Sequence, residues 1–356
     1  MNFQTEISIG SRKVGEGHPV FIIAEAGVNH DGDIEVAKRL VDIAAESGAD
    51  AVKFQSFVAE RLNTRTAPKA RYHIETTGSD AERSWFDRLK KEEFTPEMHQ
   101  VIMEYCRTKG ILFLSTPYDE QSADLLEKLE MAAYKIASTD VTNIPFLKHV
   151  AAKGKPVILS TALSTYDEVQ EAVDAIYVMG NRQLIILQCI GNYPPKVEDA
   201  HLAVIAELKR RFQVPVGYSD NGPSDIVPIA ATVLGSCIIE KHFTISRRLP
   251  GPDHRASLEP EELKKMVRDI RLTEQALGSP QQKPAACELE NISRLRKSVV
   301  ATRFIPQGTV ITPEMVTAKR PATGLHPRHS TYFPGKRAKQ NISEDELLDF
   351  SLVEEP

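Results

Sequence analysis

The stretch Val20–Phe54, VFIIAEAGVNHDGDIEVAKRLVDIAAESGADAVKF, carries the pattern that decides the fold. It opens on an apolar run, Val20–Ala24, of the length of one buried strand. A polar break follows. Then Val36, Leu40 and Ile43 recur at i, i+4 and i+7, which is one face of a helix. Gly48 fits the C-cap of that helix, and Ala51–Phe54 begins the next apolar run. Strand, helix, strand in this order predicts a parallel unit with the helix as crossover.

Outward from this stretch the rhythm continues to Gly278. Further apolar runs lie at Ile111–Leu114, Ala132–Ile136, Val157–Leu159, Leu184–Leu187, Val214–Gly217 and Cys237–Glu240. Helical stretches begin near Pro96, Asp119, Asn143, Thr165, Val197, Pro223 and Glu259. This alternation predicts an α/β fold, a (β/α)8 TIM barrel over residues 1–278. A doubly wound open sheet is the rival, but no Gly-x-Gly-x-x-Gly follows the first strand. Ser56–Phe94 breaks the repeat. It is a long polar segment carrying Arg61, Arg65, Lys69 and Arg71, placed after strand two on the face where barrels build sites. Beyond Gly278 the periodicity fails, and 279–297 reads as a linker starting Ser279-Pro-Gln-Gln-Lys-Pro284. Residues 298–356 form a separate small module. Strands are expected at Ser298–Arg303 and Thr309–Ile311 around Pro306-Gln-Gly308, with a helix start at Thr312-Pro-Glu314.

The composition is that of a globular protein, with 41% hydrophobic and 26% charged residues and a net charge of −5. No basic stripe points to nucleic acid, and no apolar run approaches the roughly 20 residues of a membrane span. Met1–Gly10 lacks the charged-then-apolar pattern of a signal peptide. Cys106, Cys189, Cys237 and Cys287 are scattered and form no Cys-x-x-Cys pair, as expected of reduced thiols in a cytoplasmic protein.

In a barrel, strand C-termini point their side chains into the active site. The expected ends carry Glu25, with Asn29 and His30 beyond, then Lys53 and Gln55, Ser115 and Thr116, and Lys135 and Ser138. Ser160 and Thr161, Asn192 and Tyr193, Ser219, Asp220 and Asn221, and Glu240, Lys241 and His242 complete the set. Each has a plain structural alternative: a rim salt bridge for the lysines, a helix cap for Glu25, turn-bonding serines, a core histidine. Their convergence at one mouth points to an anion site beside an acid–base or metal site.

At these residues the chain resembles a known family. Phe21-Ile-Ile-Ala-Glu-Ala-Gly-Val-Asn-His30, Ala51-Val-Lys-Phe-Gln55, Phe113-Leu-Ser-Thr-Pro117 and Tyr134-Lys-Ile-Ala-Ser138 are similar to segments of the sialic acid synthases. So are Glu240-Lys-His-Phe-Thr244 and the run Pro250–Pro260. The tail from Phe304-Ile-Pro-Gln-Gly308 through Lys319-Arg-Pro321 resembles their C-terminal antifreeze-like (SAF) domain. The resemblance implies condensation of phosphoenolpyruvate with an N-acylmannosamine-type sugar, with release of phosphate. It implies that Lys53, Lys135, Ser138, Ser160 and Ser219 hold the phosphate and carboxylate, with Gln55 and Thr116 lining the site. Glu25 would activate water or move protons, and Asp253 would bind sugar hydroxyls near Tyr193. Arg320 would come from the other subunit of a domain-swapped homodimer. A divalent metal, Mn2+ or Mg2+, is implied on His242 and a second histidine.

Two positions depart from the family. Asn221 stands where the second histidine is expected, and Asp140 stands where a Glu is common. Asn221 can coordinate through its amide oxygen, His254 can substitute, or the metal can be dispensed with. The reading from this resemblance is an N-acetylneuraminate synthase. The alternatives are a legionaminate or pseudaminate synthase, a synthase acting on a phosphorylated aldose, and a non-catalytic sugar-binding homologue.

Overall fold

A computed structural model of the chain describes residues 1–77 and 84–355. Eight parallel strands form one sheet: β1 (Phe21–Gly27), β2 (Ala51–Ser56), β3 (Leu112–Pro117), β4 (Tyr134–Ile136), β5 (Val157–Ser160), β6 (Leu184–Cys189), β7 (Val216–Asp220) and β8 (Ile238–His242). Their order is β3-β2-β1-β8-β7-β6-β5-β4, and β3 packs beside β4 to bring the ends of the sheet together. The sheet is therefore a nearly closed TIM-type barrel.

Helices follow the strands: α1 (Ile34–Glu46), α2 (Pro96–Lys109), α3 (Glu120–Lys128), α4 (Ile144–Ala151), α5 (Tyr166–Val178), α6 (Val204–Phe212), α7 (Ile226–Val233) and α8 (Pro260–Leu277). Their starts are written in short polar residues. Asp33 accepts from Glu35 N at 2.8 Å, Thr95 accepts from Met98 N at 3.3 Å, and Thr165 forms a capping box with Glu168. Each cap satisfies backbone donors that the first helical turn leaves open, a contribution of about 1 kcal/mol. At the strand N-termini, Arg271 of α8 bonds Val20 O at 2.7 Å and Asp50 at 3.0 Å. These bonds tie the last helix to the start of β1 and fix that end of the barrel.

Several details differ from the sequence reading. A hairpin, Glu6–Ile9 with Arg12–Gly15, precedes the barrel. Val197 starts only a short 3-10 turn, Val197–Ala200, and α6 begins at Val204. The long segment after β2 contains helices Ala59–Leu62, Arg71–Thr77 and Trp85–Glu92.

The chain divides into two compact units, Met1–Gly278 and Ser279–Pro356. Within 279–297 lies a helix, Leu289–Leu295, whose end leucines are exposed. It buries no stripe, so apolar periodicity does not reveal it. In the second unit Ser298–Ala301 pairs antiparallel with Val316–Lys319. The strand expected at Thr309–Ile311 is absent as such. Ile311 N bonds Lys336 O and Thr309 O receives Ala338 N, so this segment is held by a distant stretch and not by a local hairpin. Val299, Ile305, Ile311, Phe333, Ile342 and Leu348 form the core of this unit. Cys106, Cys189 and Cys237 are buried free thiols, and Cys287 is an exposed one.

Gly217 in β7 marks where barrel backbones crowd. A Cβ there would lie 2.5 Å from Ile238 O and 2.7 Å from Leu187 Cδ2. Gly217→Ala is expected to destabilise the barrel by about 1–3 kcal/mol, read from the urea midpoint.

Candidate active site

The strand C-termini open into a cavity of about 180 Å3. Glu25, Lys53, Gln55, Thr116, Lys135, Ser138, Ser160, Tyr193, Ser219, Asn221, Glu240 and His242 all line it. Strand register brings them together: Lys53 sits opposite Glu25, His242 opposite Glu25, and Ser219 opposite Glu240. Gly27, at φ +54°, ends β1 where the register slips. A Cβ on it would stand 3.3 Å from Glu25 Oε1 and 3.4 Å from Gln55 Nε2.

At the centre is a buried charge cluster. Lys53 Nζ lies 2.7 Å from Glu25 Oε2 and 3.7 Å from Glu240 Oε1, and it donates to Thr116 Oγ1 at 2.8 Å. Lys135 Nζ lies 3.4 Å from Glu240 Oε1, and Ser219 Oγ donates to the same oxygen at 3.0 Å. Burial drives the protonation states. It pushes the Glu25 carboxyl up to about 7, against the pull of Lys53, and nearby Glu240 adds to the rise. Burial also pushes Glu240 upward, but Lys135 and Lys53 outweigh it and hold Glu240 below the usual range. Burial lowers Lys135 despite Glu240. Burial acts the same way on Lys53, but Glu240 and Glu25 overcome it and raise the ammonium.

This arrangement leaves hydrogen-bonding capacity facing the cavity. Lys135 makes only long contacts, to Glu240 and to Ile136 O at 3.4 Å. Ser160 Oγ is buried without a partner. Ser138 Oγ accepts from Ala162 N at 2.9 Å, which leaves its proton to donate. An ammonium and free hydroxyls at one mouth suit phosphate and carboxylate oxygens.

Between β7 and β8 the backbone is locked by Lys241, which is 0% exposed. Its Nζ pairs with Asp220 at 2.5 Å, bonds Gly222 O, and reaches Ser224 O at 2.8 Å. The turn so fixed presents Asn221. Asn221 Nδ2 donates to Ile190 O at 2.7 Å and to Cys189 Sγ at 3.5 Å, which commits the amide nitrogen and leaves the amide oxygen for the cavity. His242 is held neutral, its pKa pushed down to about 3 by burial first and by Lys53 next. Its Nδ1 has no hydrogen-bond partner and lies 3.9 Å from Asp253 Oδ2. Among the described residues no group of three or more His, Cys, Asp or Glu side chains is placed to hold a metal. His254 lines neither this cavity nor the one that adjoins it. Its Nδ1 bonds Thr244 Oγ1 at 2.7 Å, and its Nε2 faces Asp31 at 3.6 Å.

A second cavity, of about 440 Å3, adjoins the first and shares Gln55, Tyr72, Tyr118, Thr139 and Tyr193 with it. Asp140 and Asp253 line this cavity and not the first. Burial pushes Asp253 up to about 6 and raises Asp140 as well. Arg320 is exposed on the second unit, directly after the strand Val316–Lys319.

Sequence reasoning noted Glu240 at the end of strand eight but gave it no role. It missed Tyr72, Trp85 and Glu92, which come from the long segment after β2. The only signal for them was the length of that segment. Asn29 and Ser115, also at strand ends, are structural: Asn29 Nδ2 bonds Phe243 O, and Ser115 bonds Ser56.

Comparison with known proteins adds an independent line. Residues 40–282 match the NeuB family, and residues 296–354 match the SAF domain. The chain is 41% identical to the N,N'-diacetyllegionaminic acid synthase of Legionella pneumophila, over 97% of this chain and 98% of that protein. It is 35% identical to the human N-acetylneuraminate-9-phosphate synthase, over 99% and 98%. A crystal structure of the N-acetylneuraminic acid synthetase of Leptospira borgpetersenii superposes with a TM-score of 0.71 at 35% identity, covering 82% of this chain and 96% of that one.

Lys241→Met would leave Asp220, 3% exposed, as an uncompensated buried charge. A loss of about 3–5 kcal/mol is expected, measurable by thermal or urea unfolding.

Proposed function

The chain belongs to the NeuB family, and from that premise we propose that it is a phosphoenolpyruvate-dependent nonulosonate synthase whose acceptor is an N-acylated mannosamine-type sugar. The observation that supports this most is the buried Glu25–Lys53–Glu240–Lys135 cluster, with Ser160 unpartnered beside it and a roomier cavity adjoining. N-acetylmannosamine, the acceptor for N-acetylneuraminate, is the first reading. The 41% identity to N,N'-diacetyllegionaminic acid synthases favours a di-N-acetylated 6-deoxy hexose as the second. No helix among the described residues is long and apolar enough to cross a membrane. We assign the enzyme to the cytoplasm, as a homodimer in which the partner copy brings Arg320 to the acceptor's N-acyl group.

In this reading Lys135, Lys53, Ser138, Ser160 and Ser219 bind the phosphate and carboxylate of phosphoenolpyruvate, with Gln55 and Thr116 beside them. The second cavity holds the open-chain aldehyde, with Asp253 and Asp140 on its hydroxyls. Carbon 3 of phosphoenolpyruvate attacks the aldehyde carbon, forming the C–C bond, and the carbonyl oxygen takes a proton to become a hydroxyl. Water adds at carbon 2 and gives its proton to Glu25. The C–O bond to phosphate then breaks, and the new carbon-2 hydroxyl gives up its proton to the departing phosphate, leaving the 2-keto acid. Binding both substrates in attack geometry supplies much of the acceleration, because the enol carbon is a modest nucleophile. Negative charge that develops on the aldehyde oxygen needs a cation or strong donor facing it.

A divalent ion fits the donors present. The neutral, unpartnered His242 imidazole and the Asn221 amide oxygen would hold it. Such an ion polarises a carbonyl oxygen when bound. With one imidazole and one amide oxygen, retention is weak.

Phosphate release from phosphoenolpyruvate with N-acetylmannosamine tests the assignment. Absence of release with every N-acyl amino sugar would remove it. Glu25→Gln is expected to lower kcat about 10²–10⁴-fold. Because a base must be ionised and Glu25 is pushed up to about 7, wild-type kcat/KM should rise with pH through about 7. That rising limb should vanish in the variant. Titration of chelator-treated protein with Mn2+ should show weak binding that His242→Ala abolishes. Asn221→His should tighten it by on the order of tenfold; tight stoichiometric Mn2+ on the wild type would refute the weak-site reading.

A further inference from the structure

The second cavity is lined by a carboxyl that the proposed mechanism does not use. Trp85, Leu89 and Glu92 fall at i, i+4 and i+7 of the helix Trp85–Glu92, so one helix face presents all three to the cavity. Glu92 is 1% exposed. Its Oε1 accepts from Arg88 Nε, while its Oε2 has no partner. Arg88 is itself fixed from two further sides, by Asp31 at 2.8 Å and Pro250 O at 2.9 Å. The carboxyl is therefore held in place with one oxygen left over. A buried acceptor oxygen without a donor costs about 1–3 kcal/mol, which a bound N–H or O–H removes.

The position of Glu92 says which part of the acceptor it meets. The residues shared with the first cavity mark where the two substrates join. Glu92 is not among them, so it meets a part of the sugar outside that shared region. Charge narrows the chemistry of that part. Glu92, Asp253 and Asp140 line the cavity, and the one Lys or Arg among its described lining residues, Arg61, is committed to Asp119 at 2.9 Å and Gln121 at 2.6 Å. His73, stacked on Trp85, is held neutral, its pKa pushed down to about 4 by burial first and by Lys69 next. A phosphate placed here would meet carboxylates and no free cation among those residues. Apolar groups on Trp85, Leu89 and Leu62 suit a methyl or acyl substituent instead.

We propose that Glu92 is a specificity-determining residue that binds a hydroxyl or amide N–H of the acceptor, and that the acceptor is an uncharged N-acylated sugar and not a sugar phosphate. This deepens the synthase reading and rests on it. Burial pushes Glu92 up to about 7, so near neutral pH it can accept from or donate to such a group.

The test measures phosphate release from phosphoenolpyruvate by the full-length enzyme with three acceptors: N-acetylmannosamine, its 6-phosphate and a di-N-acetylated 6-deoxymannose. Wild type is expected to favour an uncharged acceptor over the phosphate by on the order of 100-fold in kcat/KM. Glu92→Gln keeps an acceptor oxygen for Arg88 Nε. It should raise the KM of the favoured acceptor about tenfold, change kcat by less than about threefold, and leave the KM of phosphoenolpyruvate unchanged. It should also narrow the discrimination against the 6-phosphate, which a purely structural role would not do. Equal or better use of the 6-phosphate by wild type would overturn the charge argument without help from any variant. An unchanged acceptor KM in Glu92→Gln would overturn the assignment of Glu92. Turnover of none of the three acceptors would instead overturn the synthase reading itself.

Discussion

The pairing of Lys53 with Glu25 and Glu240 inside the barrel mouth is the constraint on which the site depends. Lys53 is 2% exposed and Glu25 1% exposed, so neither ion has bulk water to stabilise it. Removing charges from water costs several kcal/mol each, and only close, hydrogen-bonded counter-charges offset that. The parallel register supplies them. It sets Glu25 beside Lys53 on one side and beside His242 on the other, and it sets Glu240 against Ser219. A slip of one residue on any of these strands would turn the side chains to the opposite face and leave the remaining ions unpaired. The barrel is thus the frame that makes a cluster of buried charges tolerable, and the cluster in turn holds Lys135 beside Glu240.

The same cluster explains why the carboxylates behave differently. Glu240 touches both lysines and Ser219, and this keeps it ionised. Glu25 has one close cation and the field of Glu240 against it, so its proton is held more tightly. Two carboxyls whose environments push them apart in this way can serve different purposes: one as a fixed charge, the other as a group that takes and gives protons near neutral pH.

Much of this was legible in the sequence because the strand is a local signal. Runs such as Val157–Leu159 and Leu184–Leu187 are buried on both faces of a parallel sheet and appear as unbroken apolar stretches. Residues at or just beyond the end of each run are then at the mouth, which is why Lys53, Ser160, Ser219 and His242 could be placed there before any geometry. Residues in the segment after β2 lacked that anchor. Tyr72 reaches the site by stacking on Tyr193, 5.1 Å away and 121 residues later (193 − 72), and Glu92 through Arg88 and Asp31. Such contacts depend on tertiary packing that no period in the chain encodes. The tail shows the same limit. Thr309–Ile311 has the look of a hairpin strand, yet its partners come from Lys336–Ala338.

Asn221, at the position where the resemblance implies a histidine, sits in a turn that the chain's own residues fix. Its amide nitrogen is used up on Ile190 O and Cys189 Sγ, and the turn carrying it is fixed by Lys241 and Asp220. The local backbone therefore does not depend on a metal for its shape. His242 is likewise kept neutral by burial and by Lys53. Around His242 the charges oppose one another: Lys53 and Lys135 are positive, while Glu240 and Asp253, the latter 3.9 Å from Nδ1, are acidic. In the proposed mechanism the anion's donors Lys135, Ser138 and Ser160 make no bond to His242 or Asn221, so binding of the substrate's phosphate does not depend on an ion at those two residues.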